Sequence, residues 1–166
     1  MTDAALTKTD QVQGLIAYLI FLQSFVGVIG SMYVSSFGDP LKNLLARYLF
    51  PTHSGLIPCE LCWYARILLF PLVIISIVGM VKEDRRYTDY ILPFSILGIF
   101  LEAYQYGLQK FNFANIVQCS INAPCSAIEV QYFGFITIPF LALLAFLVIT
   151  MLCLANMYLN KKRQTC

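Results

Sequence analysis

Cys59 and Cys62 stand three residues apart in the stretch CELCWYAR, with Arg66 four residues further on. Pro58 precedes them and suits a helix N-terminus, so a helix opening there puts both sulfurs and the guanidinium on one face, at i, i+3 and i+7. Residues three apart in a helix have Cα atoms within the window of about 4.4 to 6.8 Å that a disulfide requires, and such a pair opens and closes with little backbone motion. The partial positive charge of the helix N-terminus and the full charge of Arg66 both favour a thiolate, the attacking and the leaving group of disulfide exchange. A second pair, Cys119 and Cys125, lies in QCSINAPCSAIE. Thiol-disulfide redox is the chemistry this pattern suits.

Two other uses of four cysteines compete with it. Zinc sites of this kind usually take two short-spaced pairs in a small soluble knuckle, and a cation is disfavoured beside Arg66. Inert disulfides are the stronger rival in an oxidising compartment, although a bridge closing so small a loop removes little chain entropy. Cys153, inside an apolar run, and Cys166, the last residue, read as spectators. His53 is the single histidine and falls in a loop, which disfavours a Ser/His or Cys/His catalytic device.

The elements that position these residues are membrane spans. Of the 166 residues, 59% are hydrophobic and 12% charged, with mean hydropathy +0.73, against roughly 25% charged in a soluble domain. Windows at about 14–37, 59–81, 90–109 and 133–158 are each long and apolar enough to cross a bilayer, which predicts an all-α bundle of four transmembrane helices and one integral membrane domain over 1–166. The first window reads as a retained span, because its uncharged run from Gln11 to Gly38 exceeds a signal-peptide core. Lys8, Lys82, Arg85, Arg86, Lys161, Lys162 and Arg163 fall on one side, against Lys42, Arg47 and Lys110 on the other, which places both termini in the cytoplasm and all four loop cysteines outside. The net charge of +2 is topological, and nothing in it suggests nucleic-acid binding.

The connector KEDRRYTD, residues 82 to 89, is a plain charged hairpin link. In the first outer loop, Leu41, Leu44, Leu45, Tyr48 and Leu49 make one apolar stripe behind Asp39 and Pro40, which predicts a short amphipathic helix lying in the membrane surface or packed on the outer end of the bundle. There is no fixed-period repeat, no phosphate-binding glycine loop and no N-glycosylation sequon.

Span three carries a buried charge of its own. Glu102 lies about two turns inside its outer end, the depth of Arg66 in span two at about 1.5 Å per residue, and with Gln105 and Gln109 it forms an i, i+3, i+7 stripe. Ionisable residues in spans pair or mark a pathway. Either Glu102 pairs with Arg66, or it is a protonated carboxyl hydrogen-bonded to a neighbouring helix.

CELCWYAR resembles the C-x-x-C-x-x-x-R signature of the DsbB family of membrane thiol oxidases, and the likeness extends over the whole chain: four spans, a first pair opening span two, a second pair in the second outer loop, and YFGFITIPFLALLAF opening span four. The close spacing of Cys119 and Cys125 is similar to the short-loop form often called BdbC. The resemblance implies a bacterial plasma-membrane enzyme that passes electrons from an extracytoplasmic thioredoxin-fold dithiol oxidase to ubiquinone or menaquinone, in contact with lipid and with no metal. Cys119 would take the partner's mixed disulfide with Cys125 leaving, Cys62 would meet the quinone, and Arg66 would be the quinone-side cation; by its spacing, the stripe of Glu102, Gln105 and Gln109 could line the cavity opposite. The family often shows a histidine four residues before a glutamine in span three; here Gln105 stands where that histidine is sought, and Gln109 keeps the pattern. A vitamin-K-epoxide-reductase-like enzyme, in which the C-x-x-C comes late in the bundle, and a non-enzymatic scaffold with structural disulfides are the rival readings.

Overall fold

The computed structural model describes residues 3–37, 59–84, 86–111, 131–132 and 136–164. Four helices account for nearly all of them: α1 (Asp3–Phe37), α2 (Glu60–Val81), α3 (Tyr87–Phe111) and α4 (Ile138–Gln164). Each contains a stretch long and apolar enough to cross a membrane, at Thr9–Ser36, Glu60–Val81, Tyr87–Phe111 and Ile138–Lys162. Each helix packs on its neighbour in chain order, and α4 closes the ring on α1.

The fourth span begins later than its apolar run suggests. Residues Ile136–Thr137 form a short strand, β2, paired antiparallel with β1 (Gln131–Tyr132) in the register Gln131↔Thr137 and Tyr132↔Ile136. The helix starts only at Ile138, where Pro139 occupies the first turn and its missing N–H removes no helical bond. The aromatic and β-branched residues flanking Gly134 are the strand signal that hydropathy alone conceals. At the N-terminus the difference runs the other way: helix continues through the polar leader back to Asp3.

Apolar side chains on a lipid-facing surface gain little from packing together, so close backbone approach and interhelical hydrogen bonds hold the ring. Gly98 of α3 lies directly against the Phe146 ring of α4, and Gly79 of α2 against Tyr87, the first residue of α3. That second approach follows a tight connector, in which Glu83 takes a positive φ of 50° and Asp84 Oδ1 accepts from the Arg86 N–H at 2.9 Å. Thr150 donates to Ser95 Oγ at 3.0 Å, Asn156 to Thr88 Oγ1 at 3.4 Å, and Gln13 to Asn160 Oδ1 at 2.6 Å. The main apolar core joins all four helices through Ile16, Ile20, Leu69, Leu72, Ile91, Phe146 and Ile149. A separate small cluster of Cys59, Leu61 and Leu108, with Cys62 and Tyr104 packed against it, forms at one end of α2 and α3.

Candidate functional site

Cys59 is the N-cap of α2, with extended backbone (φ −68°, ψ 167°), and its carbonyl accepts the first helical bond from the Trp63 N–H at 3.2 Å. Cys62 sits in the first turn, so the pair straddles the helix boundary rather than lying wholly within the helix. Both are free thiols, and the two sulfurs stand 3.0 Å apart. Cys59 is buried and Cys62 half-buried.

The buried stripe of α2 continues inward as Arg66, Leu69, Leu72 and Ser76, and that of α3 runs through Ile91, Ser95, Gly98, Glu102 and Gln105, in steps of three and four. The two stripes meet at the cysteines. Gln105, only 2% exposed, directs Nε2 at both sulfurs, donating to Cys59 Sγ at 3.4 Å and to Cys62 Sγ at 3.3 Å. Its other amide atom, Oε1, is buried with no hydrogen-bond partner. An unmade bond at so buried an acceptor is costly, which marks the atom as a place for a ligand donor. Gln109 is half-buried one turn beyond.

Arg66 is buried at 6% exposure, one turn along α2 from Cys62. The anticipated pair with Glu102 does not form: no ion pair joins these two described residues. The guanidinium instead donates through Nε to Ser31 Oγ at 2.7 Å and through Nη2 to the Ser31 carbonyl at 3.0 Å, both on α1. Its carbon lies 5.1 Å from the centroid of Trp63, one turn earlier on α2. Glu102 is 2% exposed, and the Cys62 sulfur is within its electrostatic reach. Ser31 and Trp63 carry no motif; the sequence hint was that the chain's one tryptophan lies three residues before the one arginine in a span.

Beside the pair, an apolar groove of about 520 Å³ lies between α2 and α3, walled by residues including Leu61, Leu68, Leu97, Phe100 and Tyr104. Leu61 and Tyr104 belong both to this groove and to the cysteine cluster. Cys153 is wholly buried in the main core, among Phe146 and Ile149. Cys119, Cys125, His53 and the stripe at 39–49 lie outside the described residues. Among the described residues no group of His, Cys, Asp and Glu is placed to hold a metal.

Four membrane-length helices with a thiol pair at the mouth of one of them define a membrane thiol-disulfide oxidoreductase. A family profile described as "Disulfide bond formation protein DsbB" matches residues 40–156. The chain is similar to "Disulfide bond formation protein C" of Bacillus subtilis (strain 168), at 45% identity over 116 residues covering 69% of this chain and 84% of that protein. It is similar also to a "Probable disulfide formation protein" of Coxiella burnetii (strain RSA 493 / Nine Mile phase I), at 34% over 148 residues, 88% of this chain and 90% of the other. The chain therefore belongs to the DsbB family of disulfide bond formation proteins. It is a multi-pass membrane oxidoreductase that generates disulfides, as the resemblance implied and against the scaffold reading. No solved structure matches it.

The contact of Gln105 with both sulfurs makes a first prediction. Gln105→Leu removes the donor that stabilises sulfur anions at this site, so alkylation of the reduced pair by iodoacetamide at neutral pH is expected to slow by about tenfold, the worth of one hydrogen bond to a charged group. An unchanged rate would mean that the amide does not act on the thiolate.

Proposed function

We propose that this protein is a quinone-dependent thiol oxidase that reoxidises an extracytoplasmic, DsbA-like thioredoxin-fold oxidase, relaying electrons through Cys119–Cys125 and Cys59–Cys62 to ubiquinone or menaquinone. The observation that carries the reading is the Cys59/Cys62 pair, held at the end of a span by the Gln105 amide on both sulfurs, with Arg66 buried one turn further along the same helix. The basic-residue asymmetry supports a single membrane unit over 1–166 with both termini cytoplasmic and the cysteine loops outside.

A partner thiolate attacks Cys119 of the oxidised loop pair, Cys125 leaves as thiolate, and the partner's second thiolate resolves the mixed disulfide. The loop pair, now carrying two electrons, attacks the Cys59–Cys62 bridge in the same manner and is oxidised again, leaving the membrane-side pair as dithiol.

The residues present fit a quinone. Arg66 has N–H groups beyond those given to Ser31, suited to a ring carbonyl, and the orphaned Gln105 Oε1 is suited to a hydroxyl hydrogen. The apolar groove bordering the pair suits a lipid-soluble molecule. When bound, a quinone supplies a two-electron acceptor that exchanges with the membrane pool. Cys62 faces it as thiolate, Arg66 orients it, and the Glu102 carboxylate oxygens serve as the proton-handling group in place of the absent imidazole. Gln109 lines the same stripe one turn outward.

Arg66→Lys tests the reading. A point charge cannot reproduce the guanidinium fork, so the apparent KM for a short-chain quinone is expected to rise by about tenfold or more while thiol exchange with the partner is spared. An unchanged KM would remove Arg66 from the quinone site.

A further inference from the structure

A guanidinium offers five N–H donors in a rigid plane, arranged as a side edge (Nε and Nη2) and an end edge (Nη1 and Nη2). Ser31 occupies the side edge of Arg66 with two acceptors of one residue: its hydroxyl takes Nε–H at 2.7 Å and its backbone carbonyl takes Nη2–H at 3.0 Å. That carbonyl can do so while α1 remains helical, since it carries two lone pairs. Trp63, itself half exposed, lies by the ring face at 5.1 Å. The remaining three N–H groups, including the whole of Nη1, have no acceptor among the described residues.

We infer that Ser31 is a positioning residue that clamps the side edge of Arg66 and presents its end edge to the carbonyl oxygen of a bound quinone. The inference rests on the quinone reading above and extends it to a third helix. Ser31 touches neither sulfur nor ligand; it acts through Arg66. Without its hydroxyl the guanidinium keeps its charge but is held on its side edge by the Ser31 carbonyl alone and can swing about that single contact, so the orientation of its donors is lost and the charge beside Cys62 is retained.

The test uses the full-length protein in lipid nanodiscs. In quinone-free protein with ¹⁵N-labelled arginine, hydrogen exchange at Arg66 Nε is expected to be slow in the wild type, at least about tenfold faster in Ser31→Ala, and slow again in Ser31→Thr, which restores a hydroxyl. Quenching of the single tryptophan by a short-chain ubiquinone then gives binding: Kd is expected to rise about tenfold in Ser31→Ala and to return to the wild-type value in Ser31→Thr. Nε–H exchange or Kd in Ser31→Ala equal to wild type, or a threonine variant no better than alanine, overturns the clamp. Absence of quinone binding in the wild type overturns the reading it rests on, whatever the exchange data show.

Discussion

Replacing Cys119 by serine is expected to abolish oxidation of the thioredoxin-fold partner in membranes while leaving the Cys59/Cys62 pair able to reduce quinone when a small dithiol is supplied. In the proposed relay the two pairs act in series, and a hydroxyl in place of the Cys119 thiol cannot form the mixed disulfide. Loss of a nucleophile of this kind removes activity by a factor on the order of a thousand or more. Cys125→Ser is expected instead to trap the partner on Cys119, visible as a disulfide-linked complex on a non-reducing gel. Partner oxidation at near wild-type rate in Cys119→Ser would mean that the order of the relay is wrong.

The second large effect lies away from the thiols. A Cβ placed on Gly98 would lie 2.5 Å from Cδ1 and Cε1 of Phe146, a ring only 2% exposed and held in the main core. Real Cβ atoms do not approach a neighbour so closely, so either the ring or the α3–α4 spacing must give. Gly98→Ala is expected to destabilise the protein by about 1–3 kcal/mol and Gly98→Leu by more, from the cost of overpacking. Unfolding followed by circular dichroism in mild detergent measures it. Trimming the ring in the double variant Gly98→Ala/Phe146→Leu is expected to recover part of the loss, since contacting residues do not act additively. A Gly98→Ala protein as stable as wild type would show that the two helices are free to part.

Much of this architecture could be read from hydropathy because each span is a long apolar run, interrupted by one ionisable residue at Arg66 and one at Glu102, with polar ends. What hydropathy misjudges are the margins: the leader before Thr9 is polar yet helical, and Ile136–Thr137 is apolar yet paired as strand. The site divides in the same way. Spacing alone put Cys59, Cys62 and Arg66 in one row and Glu102 and Gln105 in another, because helical periodicity is a property of one segment. The partner of Arg66 was not legible. Depth along two helices can be counted from their ends, but the distance between them depends on helix rotation, and the arginine turns toward α1 rather than α3. One of its acceptors is a backbone carbonyl, which no residue type announces. Gln105 was located as a departure from the family pattern, yet its aim at the sulfurs instead of away from them required the packed structure.

The tight connector between α2 and α3, with Gly79 seated against Tyr87, ties these two helices into one hairpin. Cys59, Cys62, Gln105 and the walls of the apolar groove all belong to one helical hairpin, residues 59–111. Ser31 and Arg66 are 35 residues apart in the chain, and Gln105 is 46 and 43 residues from Cys59 and Cys62, so the two sets of contacts close loops of similar length. They differ in ownership: the amide on the sulfurs is internal to the hairpin, whereas the acceptors of the guanidinium are lent by α1. A change that loosens α1 is therefore expected to free the guanidinium while the amide stays on the sulfurs.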